Sequence, residues 1–158
     1  MVEHCIRLLK SRGVEVVDIA KCTKLLQDNY HPNLKLETCI DLVYSTLEKR
    51  EVQNAIMTGI FLDEAIDKNL IQDEHLVQLV SSDAGLYGID EVLAYGICNL
   101  YGSIALTNFG YIDKCKPLIV GELNDDHERC NTFLDDIVGA IAASAASKLA
   151  HNGELYGY

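Results

Sequence analysis

The sequence is short of proline, of basic residues and of long apolar runs, and each shortage removes a class of protein. Two prolines beside 49% apolar residues is the composition of a folded globule, against that of a disordered chain. Acids outnumber Lys and Arg by 24 to 13, a formal charge of -11. That balance argues against nucleic acid as a partner, because phosphate backbones are bound through surplus cations. It also opposes an anionic membrane surface unless bases gather on one face. No uninterrupted apolar stretch approaches the ~18 residues of a transmembrane helix, and no signal peptide heads the chain. A soluble cytoplasmic protein is expected, with peripheral contact at the inner membrane face left open. Cysteines at 5, 22, 39, 98, 115 and 130 include no C-x-x-C pair, so reduced thiols are expected in place of a zinc site or a disulfide framework. There is no internal repeat, low-complexity tract or Gly-rich phosphate loop.

What is present is helical periodicity. A chain of 158 residues has the length of one domain, and its apolar residues recur at three and four with almost no strand-like alternation. A first helix carries Val2, Cys5, Ile6 and Leu9 and stops at Gly13. A second, with Asp18 as N-cap, presents Ile19, Cys22, Leu26 and Tyr30 before the His31-Pro32 break. A third places Leu36, Ile40, Val43 and Leu47 on one stripe. A fourth spans about Glu51 to Asn69, and a shorter one holds Leu76, Val77 and Val80. After the polar break Ser81-Ser82-Asp83-Ala84-Gly85, helical spacing resumes from Ile89 through Ile104, with Gly102-Ser103 a point of interruption. Asn108 to Asn131 reads as loop-rich. From about Thr132 to Ala150 the helix is apolar all round, with only Ser144 polar between Ile137 and Ala146, and an all-apolar helix is a buried one. The expected fold is all-α: about six helices, with the last at the centre of a bundle formed by residues 1-158.

Acidic groups punctuate the second half. Asp135 and Asp136 open the buried helix. A capping role is credible, with Thr132 as N-cap and Asp135 three residues on. Below the pair, however, stand Gly139, Ala140, Ala142, Ala143, Ala146 and Ser147, so neither face continues as a solvated surface. At least one carboxylate must therefore point inward, where it needs a partner or a cation. Asp90-Glu91 repeats the arrangement at the head of another apolar helix. Adjacent helical residues lie about 100° apart, so these pairs offer several oxygen ligands, a donor set suited to Mg²⁺ or Ca²⁺. Asp113 adds an acid with Lys114 and Lys116 beside it. Lysine is a point-charge phosphate binder, although spacing alone favours solvent exposure for Lys116. The polar side of the fourth helix accounts for Asp63, Glu64 and Asp67, and His127 reads as a solvated loop residue.

Together these segments resemble a known family. Gly88-Ile89-Asp90-Glu91, then Phe109-Gly110-Tyr111-Ile112-Asp113-Lys114-Cys115-Lys116-Pro117, then Phe133-Leu134-Asp135-Asp136-Ile137-Val138-Gly139-Ala140 resemble the phosphatidylglycerophosphatase A family. The likeness is nearest to its soluble, YutG-like bacterial branch and runs through most of the chain, including Arg50 to Ile56. It implies an all-α fold and Mg²⁺-dependent conversion of phosphatidylglycerophosphate to phosphatidylglycerol and phosphate, with Mn²⁺ or Ca²⁺ as substitutes. Carried over by position, Asp90, Glu91, Asp113, Asp135 and Asp136 become catalytic and metal-binding residues, and Lys116 a phosphate-binding one. The membrane-type members' upstream motif rich in Gly, Pro and Ser has no counterpart here. Two alternatives stand beside this reading: a metal-stabilised helical binding or assembly module, and an all-α nucleotide pyrophosphohydrolase, although E-x-x-E pairs are not evident. A phosphorylated substrate is the expected partner, a lipid head group is one form of it, and homodimerisation stays open.

Overall fold

Acidic and apolar residues alternate at helical period through most of the chain, and the computed structural model, which describes residues 1–151, forms only α-helices from them. They are α1 (Val2–Ser11), α2 (Val16–Gln27), α3 (Leu36–Leu47), α4 (Arg50–Asp67), α5 (Glu74–Ser81), α6 (Ile89–Cys98), α7 (Ser103–Cys115), α8 (Leu118–Asn124) and α9 (Leu134–His151). Nine helices among the described residues replace the expected six or so. Part of the difference is the break at Gly102, whose φ of 90° separates α6 from α7 at the expected interruption. The rest lies in 108–131, which is no loop-rich stretch: α7 runs on to Cys115 and α8 follows. Gly110 and Gly121 are poor helix formers, but Phe109 and Ile112, then Ile119, Val120 and Leu123, are all buried. Tertiary burial at helical spacing overrides the local preference.

α9 is the central helix, as its composition requires. Every residue from Leu134 to Ser147 is buried, and α2, α3, α4, α6, α7 and α8 all pack against it. Alanines on several sides let those helices approach closely, while Ile137, Ile141 and Leu149 supply the larger apolar surfaces, each worth about 1.5–3 kcal/mol when fully buried. Ser147, a buried polar group on this helix, finds a partner across it: its Oγ donates to the Tyr101 carbonyl at 3.2 Å. One continuous core runs from Cys5 in α1 to Leu149 in α9.

Four local expectations are corrected. Glu15, not Asp18, is the N-cap of α2; Asp18 occupies the third position of a capping box and accepts from the Glu15 backbone N–H at 3.0 Å. That helix ends at Gln27, which leaves Tyr30 exposed. Thr132 does not cap α9, since its hydroxyl donates to the Val80 carbonyl at 2.6 Å. The start of α9 is capped from α4 instead: the Asp63 carboxylate accepts from the Phe133 and Leu134 backbone N–H groups at 3.1 and 2.9 Å. Asp63 is 0% exposed, so the polar-face explanation fails for it. Asp67, a turn further on, accepts from Arg12 Nη1 at 2.9 Å and from the Cys130 backbone N–H at 2.8 Å.

Candidate active site

Each acidic motif sits at a helix end, and the packing on α9 brings those ends together. Gly88, with φ of 73°, starts α6 and puts Asp90 and Glu91 in its first turn. Asp135 and Asp136 occupy the first turn of α9. Asp113 lies in the last turn of α7, and Lys116 closes that helix in the left-handed region with φ of 45°. The turn is held from α8: a Cβ on Gly121 would lie 2.3 Å from the Lys116 carbonyl oxygen, so only glycine allows the chain to double back there.

The convergence has two halves. In the first, one oxygen from each of Asp90, Glu91 and Asp136 lies within 4.8 Å of the others. Asp90 and Asp136 are buried, and Asp90 Oδ1 and Glu91 Oε2 have no hydrogen-bond partner. In the second, Lys116 Nζ lies 2.9 Å from Asp113 Oδ1, 2.8 Å from Asp135 Oδ2 and 3.7 Å from Asp136 Oδ1. Its side chain is 26% exposed, so the lysine is ion-paired at the site, not solvated as its spacing suggested. The Asp135 Oδ1 atom accepts from the Asp136 backbone N–H at 2.9 Å, which fixes the pair relative to each other. All six candidate residues thus share one locus.

The electrostatics follow from that crowding. Burial, then the neighbouring Asp135 charge, pushes the Asp136 carboxyl well above the ordinary range. Burial and the adjoining Glu91 carboxyl do the same to Asp90. Burial raises Asp135 to about 6 against the pull of Lys116. Burial alone would lower the Lys116 pKa, but Asp135, Asp113 and Asp136 outweigh it and hold the ammonium charged. Three carboxyl groups with oxygens within 4.8 Å of one another, two of them holding a buried oxygen without a hydrogen-bond partner, are costly as anions in a site poor in water. A hard divalent cation removes that cost, and an all-oxygen donor set fits Mg²⁺ or Ca²⁺.

Sequence reasoning missed two contributors. Asp83, between α5 and α6, takes a left-handed conformation with φ of 48°. It is exposed, yet partial desolvation raises its pKa against the pull of Lys116, with Glu91 and Asp113 adding to the rise. It falls outside any helical period, and only its place in a polar break marked it. The other is a cleft of about 440 Å³ that begins at Asp135. His127 lines it and is exposed, as expected of a loop histidine.

Residues 29–151 match the family described as Phosphatidylglycerophosphatase A, a span that contains every one of these acids. The Bacillus subtilis (strain 168) protein YutG, itself named uncharacterized, is 54% identical over 144 residues, covering 90% of this chain and 86% of YutG. YpjQ from the same organism is 48% identical over 151 residues, covering 96% and 85%. In three dimensions, the low temperature requirement C protein from Listeria monocytogenes is similar with a TM-score of 0.93 and 51% identity, over 97% of this chain and 96% of that one. With the matched span covering most of its length and these relatives extending over nearly all of it, the chain belongs to the phosphatidylglycerophosphatase A family.

Proposed function

We propose that this protein is a Mg²⁺-dependent phosphomonoesterase that removes a terminal phosphate from an ester such as phosphatidylglycerophosphate. The observation that carries the reading is the meeting of Asp90, Glu91 and Asp136 within 4.8 Å, beside a lysine held by Asp113 and Asp135. Asp90, Glu91 and Asp136 would hold the cation. Bound there, Mg²⁺ supplies polarisation of a phosphoryl oxygen and a water of lowered pKa. Lys116, anchored on two carboxylates, presents a fixed positive charge to the phosphate. Asp113 and Asp135 orient that ammonium, and the Asp136 N–H to Asp135 bond at 2.9 Å keeps the two halves in register. Catalysis of phosphoryl transfer is chiefly positioning and charge stabilisation, and the site offers both.

The test is phosphate release from phosphatidylglycerophosphate and from simple monoesters, with and without Mg²⁺. Asp136→Ala and Lys116→Met should each lower kcat/KM by about 10²–10³-fold, the scale of losing one preorganised electrostatic group. Release from none of these esters at any Mg²⁺ concentration would sink the proposal. Mg²⁺ that raised Tm without turnover would point instead to a non-catalytic metal-stabilised module.

A further inference from the structure

α6 and α7 pack one side against α9 and leave the other to solvent, and that outer side lacks the charge a solvated surface carries. Between Ala84 and Ile112 the only charged residues are Asp90 and Glu91, and both belong to the carboxylate cluster, one buried and the other half-buried. Other outer helices expose charge turn by turn, Glu3, Arg7 and Lys10 on α1 and Glu37 and Asp41 on α3 among them. On α6 the exposed residues are apolar instead: Ile89 at 53%, Val92 at 60% and Tyr95 at 46%, with Leu86 ahead of the helix and Leu100 behind it. Ile89, Val92 and Gly96 share a stripe at helical spacing, and α7 adds exposed Leu106 and Gly110, one turn apart. The Tyr95 and Phe109 rings meet edge to face at 5.5 Å, so Gly96 and Gly110, each the next residue along, stand on neighbouring turns of the two helices.

Those two glycines have no task within the chain. Each lies inside a helix, where glycine costs about 1 kcal/mol relative to alanine; both are exposed, and a Cβ on either would meet nothing within 4 Å. Gly59, Gly121 and Gly139 differ, since a Cβ on any of them would strike a neighbour. A helix surface bare of side chains lets the axis of a second helix come close. With Gly96, Gly110 and Asn99 included, the exposed area of this face comes to roughly 800 Å², one partner's share of a standard interface and more than the patch a monomer ordinarily leaves bare.

Charge selects the occupant. The formal charge of -11 opposes an anionic lipid surface, and no Lys or Arg stands between Ala84 and Ile112 to offset it. A second copy of the chain carries the same charge and is repelled wherever the two surfaces are acidic, so this uncharged face is where it approaches at least cost. A two-fold contact also needs a patch that complements itself. This one does: Val92 and Tyr95 project from it, and Gly96 and Gly110 leave room for them on the second copy. We propose that α6 and α7 form the interface of a two-fold homodimer, in which α6 crosses α6 of the second copy at Gly96. The inference is independent of the phosphomonoesterase reading, because Asp90 and Glu91 lie off the stripe that makes the contact.

Sedimentation equilibrium at micromolar concentrations should give twice the 17.5 kDa mass of the chain. Val92→Lys places a charge in the middle of the face, and Gly96→Leu fills the point of close approach. Each should raise the dimer Kd about thirtyfold or more, the scale of losing one central contact. Gly96→Ala should weaken the dimer too while favouring the helix itself, and far-UV circular dichroism should show all three variants as helical as the wild type, which separates loss of contact from loss of fold. Phe61→Lys, at an exposed apolar position on α4 outside the face, should leave the mass unchanged. A wild-type monomer at these concentrations overturns the proposal; if that monomer floats with phosphatidylglycerol vesicles and Val92→Lys abolishes the flotation, the face belongs to a lipid surface instead. A dimer that survives both Val92→Lys and Gly96→Leu, or that Phe61→Lys dissociates in their place, overturns it as well.

Discussion

At the scale of single residues, this protein concentrates acid where water is scarce. Asp63 is raised to about 7 by burial, against the opposing pull of the Phe133 and Leu134 N–H groups, and Asp135 to about 6. Asp90 and Asp136 are raised as well, through burial and each other's neighbours. An acid whose folded pKa exceeds its unfolded value binds more protons in the native state, so it stabilises the fold at low pH and loses that contribution as pH rises through the folded pKa. Metal-free protein should therefore lose Tm between about pH 4, the ordinary carboxylate value, and about pH 7, the upper of the folded values near 6 and 7. Differential scanning calorimetry in EDTA measures it. Added Mg²⁺ should flatten or reverse the slope, because the cation competes with protons for the same oxygens. A metal-free Tm independent of pH would remove the account of buried, cation-seeking acids. The same logic predicts that Asp136→Asn raises the metal-free Tm at pH 8 by relieving like-charge crowding, and abolishes the stabilisation by Mg²⁺. A variant that still gains as much Tm from Mg²⁺ as the wild type would place the cation elsewhere.

At the scale of elements, helix termini do the assembling. The first turns of α6 and α9 bring in four acids, and the last turn of α7 with its left-handed cap brings in Asp113 and Lys116. Two contacts outside those helices hold the ends in place. Asp63 on α4 satisfies two N–H groups at the start of α9, so Asp63→Ala leaves buried donors unpaired and should cost about 1–3 kcal/mol. Urea denaturation reads the loss as a lower midpoint at constant m. An unchanged midpoint would show that α9 does not depend on this cap. Gly121 on α8 lets the Lys116 carbonyl approach to a distance no Cβ permits. Gly121→Ala forces backbone against backbone and should cost about 1–3 kcal/mol. It also shifts the lysine off its two carboxylates, so phosphatase turnover should fall further than stability does. Full turnover in a folded Gly121→Ala protein would mean that the Lys116 turn is dispensable.

At the scale of the whole molecule, α9 is both the structural axis and one side of the site, so packing and chemistry are linked. A cation that bridges α6 and α9 binds only the folded state and stabilises all of it by mass action, about 2.7 kcal/mol at a hundredfold excess over Kd. The six thiols report this without any label on the site: Cys115 is exposed, Cys130 half-buried and the other four buried. Cys115 should react with a thiol reagent at once, and the four buried thiols only as the chain opens, at a rate that Mg²⁺ slows. Equal reactivity of all six in the native protein would contradict the packed core. Much of this was legible in the order of residues. Helical period, the all-apolar stretch after Asp136 and the absence of any solvated face beneath that pair were enough for an all-α bundle with one central helix and for an inward carboxylate there. Asp90-Glu91 and Asp113 leaned on the family likeness, because adjacent acids at a helix start are equally well explained by the helix dipole. Periodicity is a local property, and it carries no information about which helix end meets which. Only the packing on α9 decided that Lys116 is paired, that Asp63 leaves its polar face to cap another helix, and that Asp83 and a polar cleft adjoin the acids. Apart from the local Lys116–Asp113 pair, those outcomes join residues far apart in the chain, where burial and charge act through space and leave no pattern along it.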